Sequence, residues 1–355
     1  MSKFLIGCIA VETRNARLNG SSKDVEGGGS TVQNIAYTKK IRSKNGIFPY
    51  GSGVYVKKNI KDYARSMGHT LSTVKSLSTT EVVSEGNPYK NYDEDVMGFM
   101  IASKLVLNED EFNELPEDVK ATFKKTTKRK DTIYEKNITK KRKARLMVSP
   151  LQAISSTKIN SEFNVRQTDA TSLLYTKEIY ANIMSMGFNL DIENVGVFAA
   201  STDESGFRDY SNEEIEAFSL RADENGVVEL PGEEKNRRIK DTLKAIQYFN
   251  TDIAQANNLE DLNAKFVIMA DYSIGNNIFN NVFRNGILDI DYLVEAIEEN
   301  EEFRLSPIYI GVRSGFMEIR GKRLKNIIEE TFNGNDNVVI GTVGEAFDKY
   351  IKELY

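Results

Sequence analysis

The stretch Ile47-Phe48-Pro49-Tyr50-Gly51-Ser52-Gly53 forces one element of this chain to end and another to begin. Its proline and two glycines break any periodicity. Ser52 occupies the place of a helix N-cap. Beyond it Val56, Ile60 and Tyr63 recur at helical spacing, with Lys57, Lys58 and Lys61 between them. A helix that begins at Gly-Ser-Gly offers backbone N–H groups and the positive end of its dipole, which suits a phosphate. Lysines one and two turns later extend such a contact along a polyanion. The other reading is a solvated basic helix face after an ordinary turn, and this stretch alone leaves both open.

Much chemistry is excluded at once. The chain has one cysteine, Cys8, and one histidine, His69, in 355 residues. A zinc site of the Cys/His kind cannot be built from them, and no intrachain disulfide can form, so a reducing cytoplasm is expected. Cys8 lies in the apolar run Phe4-Leu5-Ile6-Gly7-Cys8-Ile9-Ala10-Val11 and reads as a core thiol. His69 follows Met67-Gly68 and is expected to be an exposed residue closing the first helix. No apolar run is long enough to span a membrane, and the N-terminal run is too short for a signal peptide. Neither a membrane nor a cofactor is implied.

The net charge of −5 does not suggest a nucleic-acid binder, but its distribution does. Between Lys120 and Arg145 twelve Lys and Arg face two acids, which leaves the rest of the chain at about −15. Such segregation provides one face for a polyanion and another for different partners. A mobile, merely solubilising basic loop is the competing reading.

Along the chain, residues 3–12 form a nearly continuous apolar run and predict a central strand. The Gly-rich segment from Leu18 to Ser30 is a loop that matches no phosphate-loop pattern. Residues 32–48 predict a hairpin turning at Lys44-Asn45-Gly46, with Lys39, Lys40, Arg42 and Lys44 on its polar face. Asp93-Glu94-Asp95 reads either as a carboxylate site for magnesium or as a helix cap paired with nearby cations. Residues 109–145 predict basic helix. Residues 146–154 predict a strand interrupted by Pro150, and the stretch from Ser155 to Ser172 a projecting hairpin or loop. Strands follow at 173–183, 195–198, 265–271 and 307–313. Helices are expected at 233–249, with Ile239, Leu243, Ile246 and Phe249 on one face, and at 289–300 and 342–354. Without the charged insertion the order approaches β-α-β-β-α-β, a sheet with helices on one side and a common RNA-binding surface. No clean aromatic base-stacking pattern is present.

In this order the segments resemble the backbone subunit of type I CRISPR effector complexes (Cascade), in the DevR-type, I-B-like subfamily. The resemblance rests on the Gly-rich loop from Leu18 to Gly29, on Asn45-Gly46-Ile47-Phe48-Pro49-Tyr50-Gly51-Ser52-Gly53, and on Asp93-Glu94-Asp95-Val96-Met97-Gly98-Phe99-Met100. Ser149-Pro150-Leu151-Gln152-Ala153, Arg237 to Ile246 and Asn276-Asn277-Ile278-Phe279 complete it. Met97 stands where an aromatic is usual, and Ile278 where proline is usual. Together these stretches span nearly the whole chain.

The resemblance implies an α+β fold with an RRM-like (ferredoxin-like) palm carrying an antiparallel sheet. The palm would take residues 1–67 and 146–355, an inserted helical finger 68–145, and a thumb hairpin 155–172. It implies a non-catalytic subunit stacking head to tail along a CRISPR RNA, a heterologous interface that does not close. Other Cascade subunits are implied partners, and target DNA is met through the guide. Such a subunit contacts phosphate and sugar, which carry no sequence information. The candidate RNA contacts are Ser52, Lys57 and Lys61 on the first helix and Lys40 and Arg42 on the hairpin. Lys158, Arg166 and Gln167 are candidates on the thumb, and Lys140, Lys141, Arg142 and Arg145 on the finger. Two alternatives are a type III-like metal-dependent ribonuclease using Asp24, with Glu26 beside it, and an RNA-binding scaffold with no CRISPR role.

Overall fold

The structure is a computed structural model. It describes residues 3–18, 20–21, 35–73, 75–76, 82–101, 104–114, 117–120, 123–128, 131–137, 140–167, 172–199, 209–210, 212–253 and 255–354. The chain divides into two compact units. The first combines Met1–Gly68, Arg145–Val195 and Gly232–Tyr355. The second combines His69–Ala144 with Gly196–Pro231.

A large, mostly antiparallel sheet builds the first unit. In chain order its strands are β1 (Phe4–Ala16), β2 (Gly20–Ser21), β3 (Ile35–Thr38), β4 (Lys40–Ser43), β5 (Gly46–Gly51) and β6 (Leu146–Val148). Then come β7 (Leu151–Ala153), β8 (Asn160–Gln167), β9 (Ser172–Asp191), β10 (Phe266–Tyr272), β11 (Ile308–Val312) and β12 (Val338–Gly341). The main order is β12-β11-β10-β1-β9-β7-β5-β4, with β3, β6 and β8 also pairing to β9. The longer helices are α1 (Gly53–Ser66), α2 (Gly232–Gln247), α3 (Ile290–Glu298), α4 (Leu324–Thr331) and α5 (Val343–Glu353).

β1 lies between β9 and β10, the central place its apolar run predicts. Its alternate residues feed two cores. Ile6, Cys8 and Ala10 join Phe266, Ile268, Ile308, Ile310, Leu293, Ile297, Leu324 and Ile328, the face covered by α3 and α4. The pleat turns Tyr309 the other way, and there its ring meets Tyr350 of α5 at 5.4 Å. The sequence reading placed helices on one side of the sheet; here they cover both. This explains why every residue of β10 and β11 is buried. Gly7 is required by packing, since a Cβ there would sit 2.7 Å from the Ile268 carbonyl oxygen.

The hairpin β4–β5 turns at Lys44-Asn45 and closes with Gly46 at φ +121°, as its sequence predicts. β8 pairs with the first half of β9 from Asn160↔Ile179 to Gln167↔Ser172. The second half of β9 pairs with β1. The two strand predictions at 173–183 and 195–198 therefore resolve into one 20-residue strand and a short strand in the other unit.

The second unit contains a three-stranded sheet of Lys104–Leu107, Asp131–Asn137 and Lys124–Lys128, and strand pairs Phe99–Ile101 with Lys140–Arg142 and Val197–Ala199 with Val227–Glu229. Much of the stretch 109–145, expected as helix, is thus strand at Lys124–Lys128, Asp131–Asn137 and Lys140–Arg142. Among the described residues there, only Glu109–Asn113 and Glu117–Lys120 are helical. Beyond them Thr126, Thr127, Thr132, Ile133 and Tyr134 carry β-branched or aromatic side chains, which fit a pleated surface. His69 is also not the exposed residue expected. It is buried, its ring 4.7 Å from that of Tyr92. No helix among the described residues is long and apolar enough to cross a membrane.

Candidate nucleic-acid interface

Ser52 is the N-cap of α1. Its Oγ accepts the N–H of Tyr55 at 3.3 Å, and its carbonyl oxygen accepts that of Val56 at 3.0 Å. The first turn holds no acid, so no carboxylate of α1 offsets the positive end of the dipole. Tyr55, Val56, Asn59, Ile60 and Ala64 form the buried stripe, and Tyr55 meets Phe249 edge-on at 6.2 Å.

The charged residues of α1 separate into two groups. Asp62 neutralises one of them, lying 2.6 Å from Lys58 and 2.9 Å from Arg65. Lys57, in the other, lies one turn before Lys61. Lys57 is half-buried and has no hydrogen-bond or ion-pair partner among the described residues. Burial first, and then the charge of Lys61, hold its ammonium below the ordinary lysine value. An anion placed here would relieve both penalties.

Other candidates have different surroundings. Lys40 is spent inside the protein: Nζ lies 2.6 Å from Glu178 with only 6% of the side chain exposed. Arg42 is exposed on β4. Lys158 is exposed between β7 and β8, and Gln167 at the end of β8. The backbone of Arg166 pairs with Leu173, while its side chain lies outside the described residues. On the same strand Phe163 and Val165 are 65% and 56% exposed, two apolar side chains on one face.

The basic run is corrected more sharply. Arg142 is fully buried. It donates to the Asp95 carboxylate and carbonyl and to the Val197 carbonyl, and lies 3.1 Å from Asp209. Lys140 is buried too, donating to the Gly86 carbonyl and to Glu214 at 2.9 Å. These cations are structural because the surrounding acids and carbonyls consume them. Arg145 is 3.2 Å from Asp191 in the first unit, and Lys141 is half-buried.

The acids of the Asp93-Glu94-Asp95 cluster are likewise structural. Asp93 accepts from the N–H and hydroxyl of Ser72, Glu94 from the N–H groups of Gly86 and Asn87, and Asp95 from Arg142 and the N–H of Gly196. Asp24 and Glu26 lie outside the described residues. Cys8 is buried, and burial pushes its thiol up to about 12.

One feature escaped sequence reasoning. A cleft of about 340 Å³ opens beside β6 and β9, lined by Ser149, Asn189, Asn276, Asn277, Asn280 and Asn281 among others, with no charged side chain among the described residues of its lining. Asn277 builds it. Its Nδ2 donates to the carbonyls of Gly7 and Phe188 at 2.9 and 2.8 Å, and its Oδ1 accepts the N–H of Phe279 at 3.0 Å. The repeated Asn-Asn pairs were the available signal. The cleft adjoins α1, because a Cβ on Gly53 would lie 3.5 Å from the carbonyl oxygen of its lining residue Val148.

No protein-family model matches this sequence, and no curated protein matches it. Solved structures do share the fold. A chain of a "CRISPR RNA-guided surveillance complex" is similar with a TM-score of 0.51 at 8% identity, over 99% of this chain and 100% of that one. A chain of a "CRISPR RNA-guided surveillance complex, pre-nicking" is similar with a TM-score of 0.54 at 8% identity and the same coverage of both chains.

Proposed function

We propose that this chain is a non-catalytic RNA-binding backbone subunit of a type I CRISPR surveillance complex, of the DevR-type, I-B-like subfamily, acting in the cytoplasm. The observation that carries the reading is the start of α1. A capped helix end without first-turn acids is followed by Lys57 and Lys61, of which Lys57 is half-buried and strained by its neighbour. Phosphate is the ligand that relieves this arrangement. Similarity in fold over the whole chain to subunits of RNA-guided surveillance complexes supports it.

In this reading the first unit is an RRM-like palm and the second a finger. The β8–β9 hairpin is a thumb that reaches the next copy, with Phe163 and Val165 as its apolar contact. Copies stack head to tail on the guide RNA, which sets their number. Pairing with target DNA is left to the guide.

The test is mass photometry of the purified chain on mixed-sequence RNAs of increasing length. The bound mass should climb in steps of one subunit as the RNA lengthens, whatever its sequence. A mass that stays constant with RNA length would refute the backbone role, and binding confined to one sequence would favour an RNA-binding scaffold of another kind.

A further inference from the structure

No charged side chain among the described residues lines the Asn-rich cleft, so it offers no countercharge to a phosphate. Its chemistry is that of neutral amides and one hydroxyl. Asn277 is fully used in holding the loop. Asn276, Asn280 and Asn281 are exposed, and their side-chain amides have no hydrogen-bond partner among the described residues. They are presented at the mouth of a cavity and are not consumed by the fold.

A second observation points to a ligand. Asn189, in the cleft wall, is 4% exposed. Its Nδ2 donates to the Gly275 carbonyl at 2.6 Å, which fixes the amide orientation, and its Oδ1 is buried without a partner. Leaving a buried acceptor unpaired is costly, so an O–H or N–H donor in the cleft is favoured once a small shift of the wall uncovers this oxygen, which has almost no accessible surface of its own. Glycine at 187 keeps the floor open, since a Cβ there would lie 2.3 Å from Asn280 Oδ1.

Position supplies the identity. The cleft and the first residue of α1 meet at Val148. A strand whose phosphates sit on α1, Lys57 and Lys61 therefore carries its neighbouring sugars past the amides. A subunit that accepts any guide sequence cannot use such a cleft to read base edges. We propose that the cleft is a ribose subsite, in which Asn189, Asn280 and Asn281 hydrogen-bond the 2′-hydroxyl of a bound RNA strand, so that the protein distinguishes RNA from DNA. This rests on the reading of the chain as an RNA-binding subunit. The 2′-hydroxyl both donates and accepts, and it is the group by which the two nucleic acids differ at one site.

The experiment measures the affinity of the full chain for a short mixed-sequence RNA and for DNA of the same sequence, by fluorescence anisotropy at fixed salt. RNA should bind about tenfold more tightly, the worth of one or two hydrogen bonds. N280A/N281A, at exposed positions that do not hold the fold, should remove that preference by weakening RNA alone. K57A/K61A should weaken RNA and DNA together and keep the ratio. RNA carrying 2′-O-methyl groups should bind like DNA, which tests the idea without any protein variant. Equal affinity of the wild type for RNA and DNA overturns the subsite while leaving the RNA-binding reading intact. So does an N280A/N281A variant with an unchanged ratio. A preference present for only one base composition assigns the cleft to a base edge and overturns the ribose. Failure of the wild type to bind either strand overturns both readings.

Discussion

Arg142 grips Asp95 twice, by its carboxylate and by its own backbone carbonyl, and neither side chain is exposed. The same guanidinium reaches Asp209 and stacks over the Phe198 ring at 4.5 Å. It therefore ties the strand Lys140–Arg142 to the helix Tyr92–Met97 and to the 196–231 segment of its unit. Arg142→Ala should cost about 3–5 kcal/mol, because two carboxylates are left buried without their cation. Arg142→Lys should recover little of this, since an ammonium cannot replace the planar fork. Denaturant titration provides the measurement, and a loss below about 1 kcal/mol would show that the network is dispensable.

Lys57 and Lys61 are expected to act as phosphate contacts. K57A/K61A should weaken RNA binding for all sequences alike and lower the slope of log affinity against log salt by roughly one to two. An affinity series across salt concentrations reads this directly. If the slope stays at its wild-type value, the RNA lies on another face.

The lowered ammonium value of Lys57 gives a pH dependence of definite sign. Between that lowered value and the ordinary lysine value of 10.5, the unfolded chain holds more protons than the folded one, so this residue makes stability rise with pH there. RNA binding should change in the opposite direction, weakening as pH climbs through the lowered value and the charge is lost. Lys57→Arg, which stays protonated, should flatten that profile. Identical alkaline profiles for the wild type and Lys57→Arg would remove Lys57 from the binding surface.

Cys8 should be silent toward thiol reagents in the native protein, being fully buried with its thiol pushed up to about 12. In denaturant it should titrate as one thiol per chain. Rapid native labelling would mean that β1 leaves the sheet readily.

The parts of the fold that depend on local pattern were legible. The apolar run of β1, the Asn-Gly turn and the stripe Ile239, Leu243, Ile246 and Phe249 each state their element in a few neighbouring residues. The parts set by tertiary pairing were not. Nothing in Lys140-Lys141-Arg142 distinguishes a solvated basic run from a buried one, because the deciding partners, Asp95, Asp209 and Glu214, are distant in sequence. Lys40 was misread as available for the same reason: its partner Glu178 lies on β9. Of the site, the Ser52 cap and the spacing of Lys57 and Lys61 were readable. The cleft was not, because it needs Gly187 of β9 to lie against Asn277 and Asn280, which are distant in sequence.

β9 is a single strand of 20 residues, roughly 65 Å if fully extended. One end is locked to β1 through the core, while the other forms the hairpin with β8. The hairpin is thus the shorter arm of this strand, held also by β3 at Thr176 and Lys177, while the longer arm is clamped to β1, and no loop between them serves as a pivot. A residue inserted within the arm would invert every side chain beyond it toward the opposite face. Length can change without that penalty only at the far end, where β8 turns into β9. Variation in how far this arm reaches should therefore accumulate at its tip, while the arm keeps its register with the core.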